Sequence, residues 1–242
     1  MSIKKEVNSI VVLLVISFFY ILLPRPAVQG DSSLKSISSE KHAILESIKK
    51  KHKKTHSIKA SVYQEKNLMA LNKPVHVQGS VILEKSGMLR WEAVTPEKSI
   101  MIINRKTITM YYPDAKEAEI RRLSDNFIAQ NTMSFFSSVM WGALDEMEKR
   151  FAVDISYNND EVIVELTPLS KMVSRYLSSV IIFYNKQNGM PQGFEVKTPK
   201  GDRTITKLAD IEVDPDINSD TFKLKIPADV IVRDFTKQMD FN

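Results

Sequence analysis

The chain of 242 residues contains no cysteine. That excludes disulfides, a thiol nucleophile, cysteine-ligated metal and a lipid thioether-linked to the chain itself. Glycine is scarce, at seven residues, and the sequence holds no G-x-G-x-x-G, no G-x-x-x-x-G-K-[ST] and no G-x-S-x-G. Phosphate-cradling loops and nucleophile elbows depend on those glycines. Histidine is limited to His42, His52, His56 and His76. His52 and His56 have the i,i+4 spacing of a zinc pair, but no H-E-x-x-H glutamate lies between them, and Lys51, Lys53 and Lys54 oppose a cation. Asp214 to Asp220, "DPDINSD", begins like a calcium loop. Ser219 stands where that loop needs glycine and Lys225 where it needs a bidentate glutamate, so a polar turn is expected. The remaining carboxylates are scattered and nominate no acid–base pair. The expectation is a protein that is not an enzyme and holds neither cofactor nor metal.

The formal charge is +5. Much of the excess sits in Lys49–Lys54, "KKKHKK", which has no interleaved aromatics. A nucleic-acid partner is not expected from such a run, and a solvated helix end accounts for it. Long apolar runs are confined to the N-terminus. Lys4 and Lys5 precede Ile10 to Leu23, then come Pro24, Pro26 and the small-residue stretch ending at Gly30. The run is shorter than the ~20 residues needed to span a bilayer. Residues 1–30 therefore read as a signal peptide and 31–242 as a single exported domain.

What fills that domain is alternation. In Val75 to Glu84, residues Val75, Val77, Val81 and Leu83 share one side, and His76, Gln78, Ser80 and Glu84 the other, with Ile82 the exception. Turns follow at Ser86-Gly87 and Asn104-Arg105, between the segments "MLRWEAV", "KSIMII" and "TITMYY". Period two with short links specifies an antiparallel meander with one apolar face. "SIKASVYQ" precedes it and "KEAEIRRL" follows. Later come "FAVDISY", "EVIVELT", "LSSVIIFYN" before Asn188-Gly189, "QGFEVKT", "RTITKLADIEV" and "TFKLKI", with "ADVIVRDF" as a possible closing edge. Two stretches read as helical. Ile37, Ile44, Leu45 and Ile48 form one stripe on a helix capped at Ser38 or Ser39. Met133, Phe136, Val139, Met140, Leu144 and Met147 recur at spacings of three and four inside Asn126–Arg150, with a hinge near Gly142.

The stretch "GSVILEKSGMLRWEAVTPEKSIMIINRKTITMYYP" resembles the signature region of the LolA family of periplasmic lipoprotein carriers. Gly79, Leu83, Lys85, Leu89, Trp91, Pro96, Ser99, Ile100, Thr107, Tyr112 and Pro113 follow the family pattern in order. "IKASVYQEK" is similar to the family's first strand and "SDTFKLKIPADVIV" to its closing one. Lys85-Ser86 stands where the family has Arg-Pro, and Asn104-Arg105-Lys106 replaces a glycine-bearing turn.

The resemblance implies a mainly β (α+β) fold: an incomplete antiparallel β-barrel of about ten or eleven strands under a helical lid. It further implies a monomer in the periplasm with no nucleic-acid partner. Such a protein sequesters the acyl chains of lipoproteins, or a related lipid, beneath the lid. It takes cargo from an inner-membrane ABC transporter and gives it to an outer-membrane receptor. Lys85 falls at the basic position tied to cargo release. Strand phase nominates Val62, Leu89, Trp91, Ile100, Ile102, Ile108, Met110, Met133, Phe136 and Met140 as the hydrophobic cavity lining. The competing readings are a sensor or protein-interaction module on the same fold, and a lipid hydrolase.

Overall fold

The computed structural model describes residues 39–124, 137–141, 147–218 and 220–237. The expected signal peptide, Met133, Phe136 and Leu144 lie outside them. The chain opens with helix α1 (Ser39–His52), whose last turn carries Lys49, Lys50, Lys51 and His52. Leu45 and Ile48 are buried and Ile44 partly so, which makes the expected stripe the packed face.

Six strands follow as a meander: β1 (Ser57–Asn67), β2 (Val75–Glu84), β3 (Leu89–Thr95), β4 (Ser99–Ile103), β5 (Thr107–Tyr112) and β6 (Glu117–Arg122). A second meander comprises β7 (Phe151–Tyr157), β8 (Glu161–Pro168), β9 (Ser179–Asn185), β10 (Pro191–Lys197) and β11 (Arg203–Val213). The two join where β1 pairs antiparallel with β11. β12 (Ile231–Asp234) adds a parallel strand beside β6, which completes one sheet in the order β12-β6-β5-β4-β3-β2-β1-β11-β10-β9-β8-β7. The sheet thus has twelve strands, against ten or eleven expected. "TFKLKI" is not one of them. Residues 214–230 instead leave β11 and pass over the face that carries Arg90, whose Nη1 donates to the Thr221 carbonyl at 2.9 Å. They deliver Ile231 to the edge of β6.

Three register shifts bend the sheet. One falls on β3 opposite Gln78 and Gly79, one on β11 opposite Ala60, and one on β10 opposite Phe183 and Tyr184. Such bulges add local twist and turn a strand away from its neighbour. Gly79 belongs to the same device. A Cβ there would sit 1.9 Å from the Glu92 carbonyl oxygen, so only glycine lets β2 lie this close to β3. At the β9–β10 turn, Gly189 takes φ +73°, a backbone state that glycine adopts without strain.

Cross-strand pairs share a face. One face therefore carries Ile58, Ala60 and Val62 of β1, Val81 and Leu83 of β2, Leu89 and Trp91 of β3, Met101 and Ile103 of β4, and Ile108 and Met110 of β5. It continues through Leu208, Phe194, Ile182, Val164 and Ile155 on β11 to β7. These residues, α1 and the residues Val139, Met140 and Trp141 form one apolar cluster. That face, on which α1 and residues 139–141 pack, is the inner face of the sheet.

Candidate functional site: the roofed apolar face

β6 and β7 lie ten strand spacings apart in the sheet, which is about 48 Å on a flat one. The segment joining them is described at residues 137–141 and from 147 onward. Residues 139–141 pack against the inner face. Residues 137–140 form a helical turn, and the Tyr184 hydroxyl of β9 donates to the Val139 carbonyl at 2.9 Å. Tyr184 is wholly buried, and burial pushes its phenol far above the usual tyrosine range. Val139, Met140 and Trp141 are buried in the cluster of the inner face. Of the expected Met- and Phe-rich helical segment, Val139, Met140, Trp141 and Met147 fall within the described residues, and all four are buried.

Lys85, at the β2–β3 turn, touches both parts of the roof. Its Nζ donates to the Lys53 carbonyl at 3.2 Å, beyond the C-terminus of α1, and lies 3.5 Å from the Thr55 carbonyl. The same ammonium sits 5.7 Å from the centre of the Trp141 ring. Carbonyls at a helix end attract a cation, and so does an indole face. The turn itself is held by the Lys85 amide donating to the His56 carbonyl at 2.8 Å.

Of the nominated lining, Val62, Leu89, Trp91, Ile108 and Met110 occupy the inner face, and Met140 lies in the roof packed against it. Ile100 and Ile102 do not. They pair with Glu92 and Arg90 and lie on the outer face; Met101 and Ile103 take the inner positions. The strand phase expected for β4 is therefore off by one residue. Ile102 is nonetheless buried, on the face crossed by residues 214–230. A strand covered on both sides shows no apolar alternation to read.

The sequence reading also passed over two buried polar side chains. Lys66 shares the inner face with Val62 and Gln64 and is 2% exposed; desolvation lowers its pKa to about 8. His52, instead of ending a solvated basic run, is buried at the end of α1, with Nε2 donating to the Gly189 carbonyl at 2.7 Å. Burial holds its pKa below the usual histidine value, outweighing that bond, and the charges of Lys51 and Lys85 lower it further. Lys51 Nζ donates to the carbonyls of Lys186 and Gln187 on the same turn. The "DPDINSD" segment begins as a clasp: the Asp214 carboxylate accepts the His56 and Ser57 amides at 2.7 and 2.8 Å. Among the described residues no group of three or more His, Asp or Glu could hold a metal ion.

Known proteins share this architecture. A curated outer-membrane lipoprotein carrier protein of Chromohalobacter salexigens is 28% identical over 156 residues, 64% of this chain and 70% of the relative. One from Francisella philomiragia is 26% identical over 188 residues, 77% and 86% of the two chains. A crystal structure of an uncharacterized conserved protein from Thermus thermophilus superposes with a TM-score of 0.50 at 13% identity, over 81% of this chain and 99% of that one; it speaks for the fold alone. The family model described as "Outer membrane lipoprotein carrier protein LolA" matches residues 53–225, from the end of α1 to the segment before β12, and on that match the chain belongs to the LolA family.

Proposed function

We propose that the chain is an exported, periplasmic carrier. It takes up the acyl chains of a lipoprotein or related lipid between the inner face and its roof, and shuttles them from the inner to the outer membrane. The observation that carries this reading is the packing of residues 139–141 on the apolar inner face. On an apolar face spanning most of a twelve-stranded sheet, these residues and the end of α1 form a cover held through discrete contacts, Tyr184 to Val139 and Lys85 to Trp141 and the end of α1. Exchanging that cover for acyl chains conserves apolar burial, and each methylene sheltered contributes about 0.8 kcal/mol. Val62, Leu89, Trp91, Ile108, Met110 and Met140, with Met101 and Ile103 in place of Ile100 and Ile102, are the surface offered to the chains. Lys85 governs release by holding the cover shut when no cargo is present. In this reading the donor is an inner-membrane ABC transporter and the acceptor an outer-membrane receptor, which family membership supports. Residues 1–30 act as the export signal and 31–242 as one domain.

The test is native mass spectrometry and lipid extraction of protein purified from its host envelope, paired with saturable binding of a fluorescent fatty acid. An acylated ligand, and quenching of Trp91 and Trp141 by the probe, are expected. No acyl-bearing ligand and no saturable binding would overturn the reading. They would favour the second one, an interaction or sensor module, for which Ile231 and Val232 of β12, 61% and 44% exposed, provide an apolar edge.

A further inference from the structure

A cleft of about 450 Å³ opens beside the roofed face, between the end of α1 and the strands β10 and β11. Two of the three bulges create it. β10 pairs with β11 only from Gly193 opposite Lys207 onward, and Gln192 is the extra residue that turns β10 aside. On β11, two residues, Asp210 and Ile211, stand opposite Ala60 alone, and Asp210 adopts φ +50°. Beyond Lys207, β11 keeps its ladder with β1 but has no strand on its other side among the described residues. Residues 208–211 and 213 line the cleft along about 20 Å of that unpaired edge.

The remaining walls are polar above and apolar below. His52, Asn185, Asn188 and Gln192 supply amide and imidazole groups, whereas Leu208 and Met190 belong to the buried cluster of the inner face. With its Nε2 proton given to Gly189, neutral His52 keeps an acceptor at Nδ1. That atom is buried, in a side chain 1% exposed, and has no partner. A buried acceptor without a donor is expensive, and a bound N–H group relieves it. A free strand edge likewise needs alternating N–H and C=O groups. One ligand chemistry meets both needs: an extended polypeptide. The cleft's apolar floor is continuous with the face that would hold acyl chains, so a molecule with a fatty end inside and a peptide outside would run through it.

We propose that the cleft is the exit channel for the polypeptide of an acylated cargo, which adds an extended strand to the free edge of β11 at residues 208–213. This rests on the carrier reading. Main-chain pairing gives affinity with tolerance of cargo sequence.

The test uses the full mature chain and a synthetic diacylglyceryl-cysteinyl hexapeptide with a polar, uncharged tail. Its partners are the same lipopeptide N-methylated at the peptide amides, and a fluorescent fatty acid. Hydrogen exchange of the 208–213 amides and dissociation constants are read for wild type and Gln192→Trp, which fills the cleft from an exposed position. The lipopeptide should protect the 208–213 amides. N-methylation and Gln192→Trp should each weaken it at least tenfold and leave fatty-acid binding unchanged. If the fatty acid binds but neither change affects the lipopeptide, and 208–213 gain no protection, the exit channel is overturned and the carrier reading stands. If no acylated probe binds, the carrier reading fails and the proposal with it. Protection of 208–213 that depends on protein concentration without lipopeptide would give the edge to a second copy and also overturn the proposal.

Discussion

Replacing Lys85 by methionine tests how the roof is latched. Methionine keeps the length and apolar stem of the side chain but removes the ammonium. Lost are the hydrogen bond to the Lys53 carbonyl at 3.2 Å, the weaker one to Thr55 at 3.5 Å, and the cation–π contact with Trp141 at 5.7 Å. The side chain is exposed, so solvent screens each contact, and the set is worth about 1–2 kcal/mol. If the latch stabilises only the closed, empty state, its loss enlarges the open population by roughly 5- to 30-fold. Acyl-probe affinity should tighten by up to that factor, and release should slow. Lys85→Arg should keep most of the latch, because guanidinium also bonds carbonyls and stacks on indole. The assay is equilibrium and stopped-flow binding of a fluorescent fatty acid, with hydrogen exchange of the amides around Lys53 to Ser57. Unchanged affinity and unchanged exchange in Lys85→Met would refute the latch. Weaker binding would show that the ammonium contacts cargo instead of restraining the roof.

Three further outcomes follow from the packing. Gly79→Ala should lower the urea midpoint severely or prevent folding, since its Cβ would meet the Glu92 carbonyl at 1.9 Å; a midpoint within error of wild type would contradict the close approach. The depressed His52 pKa makes the unfolded chain bind a proton first as pH falls. Stability should therefore be fully present above pH ~6.5 and decline below it, and His52→Gln should flatten that decline in pH-dependent denaturation. Lys66 acts in the same sense at higher pH. Below about pH 8 the folded state bears a buried ammonium, and between about 8 and 10.5 the folded protein sheds a proton that the unfolded chain keeps. Unfolding free energy should gain up to about 3 kcal/mol across that window from this group, and Lys66→Met should remove the rise.

Much of this arrangement could be read from residue order because most strands are wet on one side. Val77, Val81 and Leu83 alternate with polar neighbours, and the structure buries them as the pattern requires. The pattern failed where a second layer covers the sheet. In β4 four consecutive apolar residues, Ile100 to Ile103, are compatible with either phase, and only pairing with Trp91 and Arg90 decides it. "TFKLKI" alternates yet stays out of the sheet, because residues 214–230 serve as that second layer. His52 and Lys66 were illegible for a different reason. Each is polar in a polar neighbourhood of sequence, and burial comes from elements far away, the β9–β10 turn for His52 and strands β2 and β11 for Lys66.

The seam between β1 and β11 has a consequence for how the molecule is made. Its residues are separated by most of the domain, so a ribosome releases β1 long before its mate exists. Contacts of such long sequence separation form slowly. Each meander can zip locally from its own hairpins, and the clasp between them completes last. A cut placed in the segment between β6 and β7 should then leave two pieces, 39–124 and 147–237, that still recognise one another at two joints, β1 with β11 and β6 with β12.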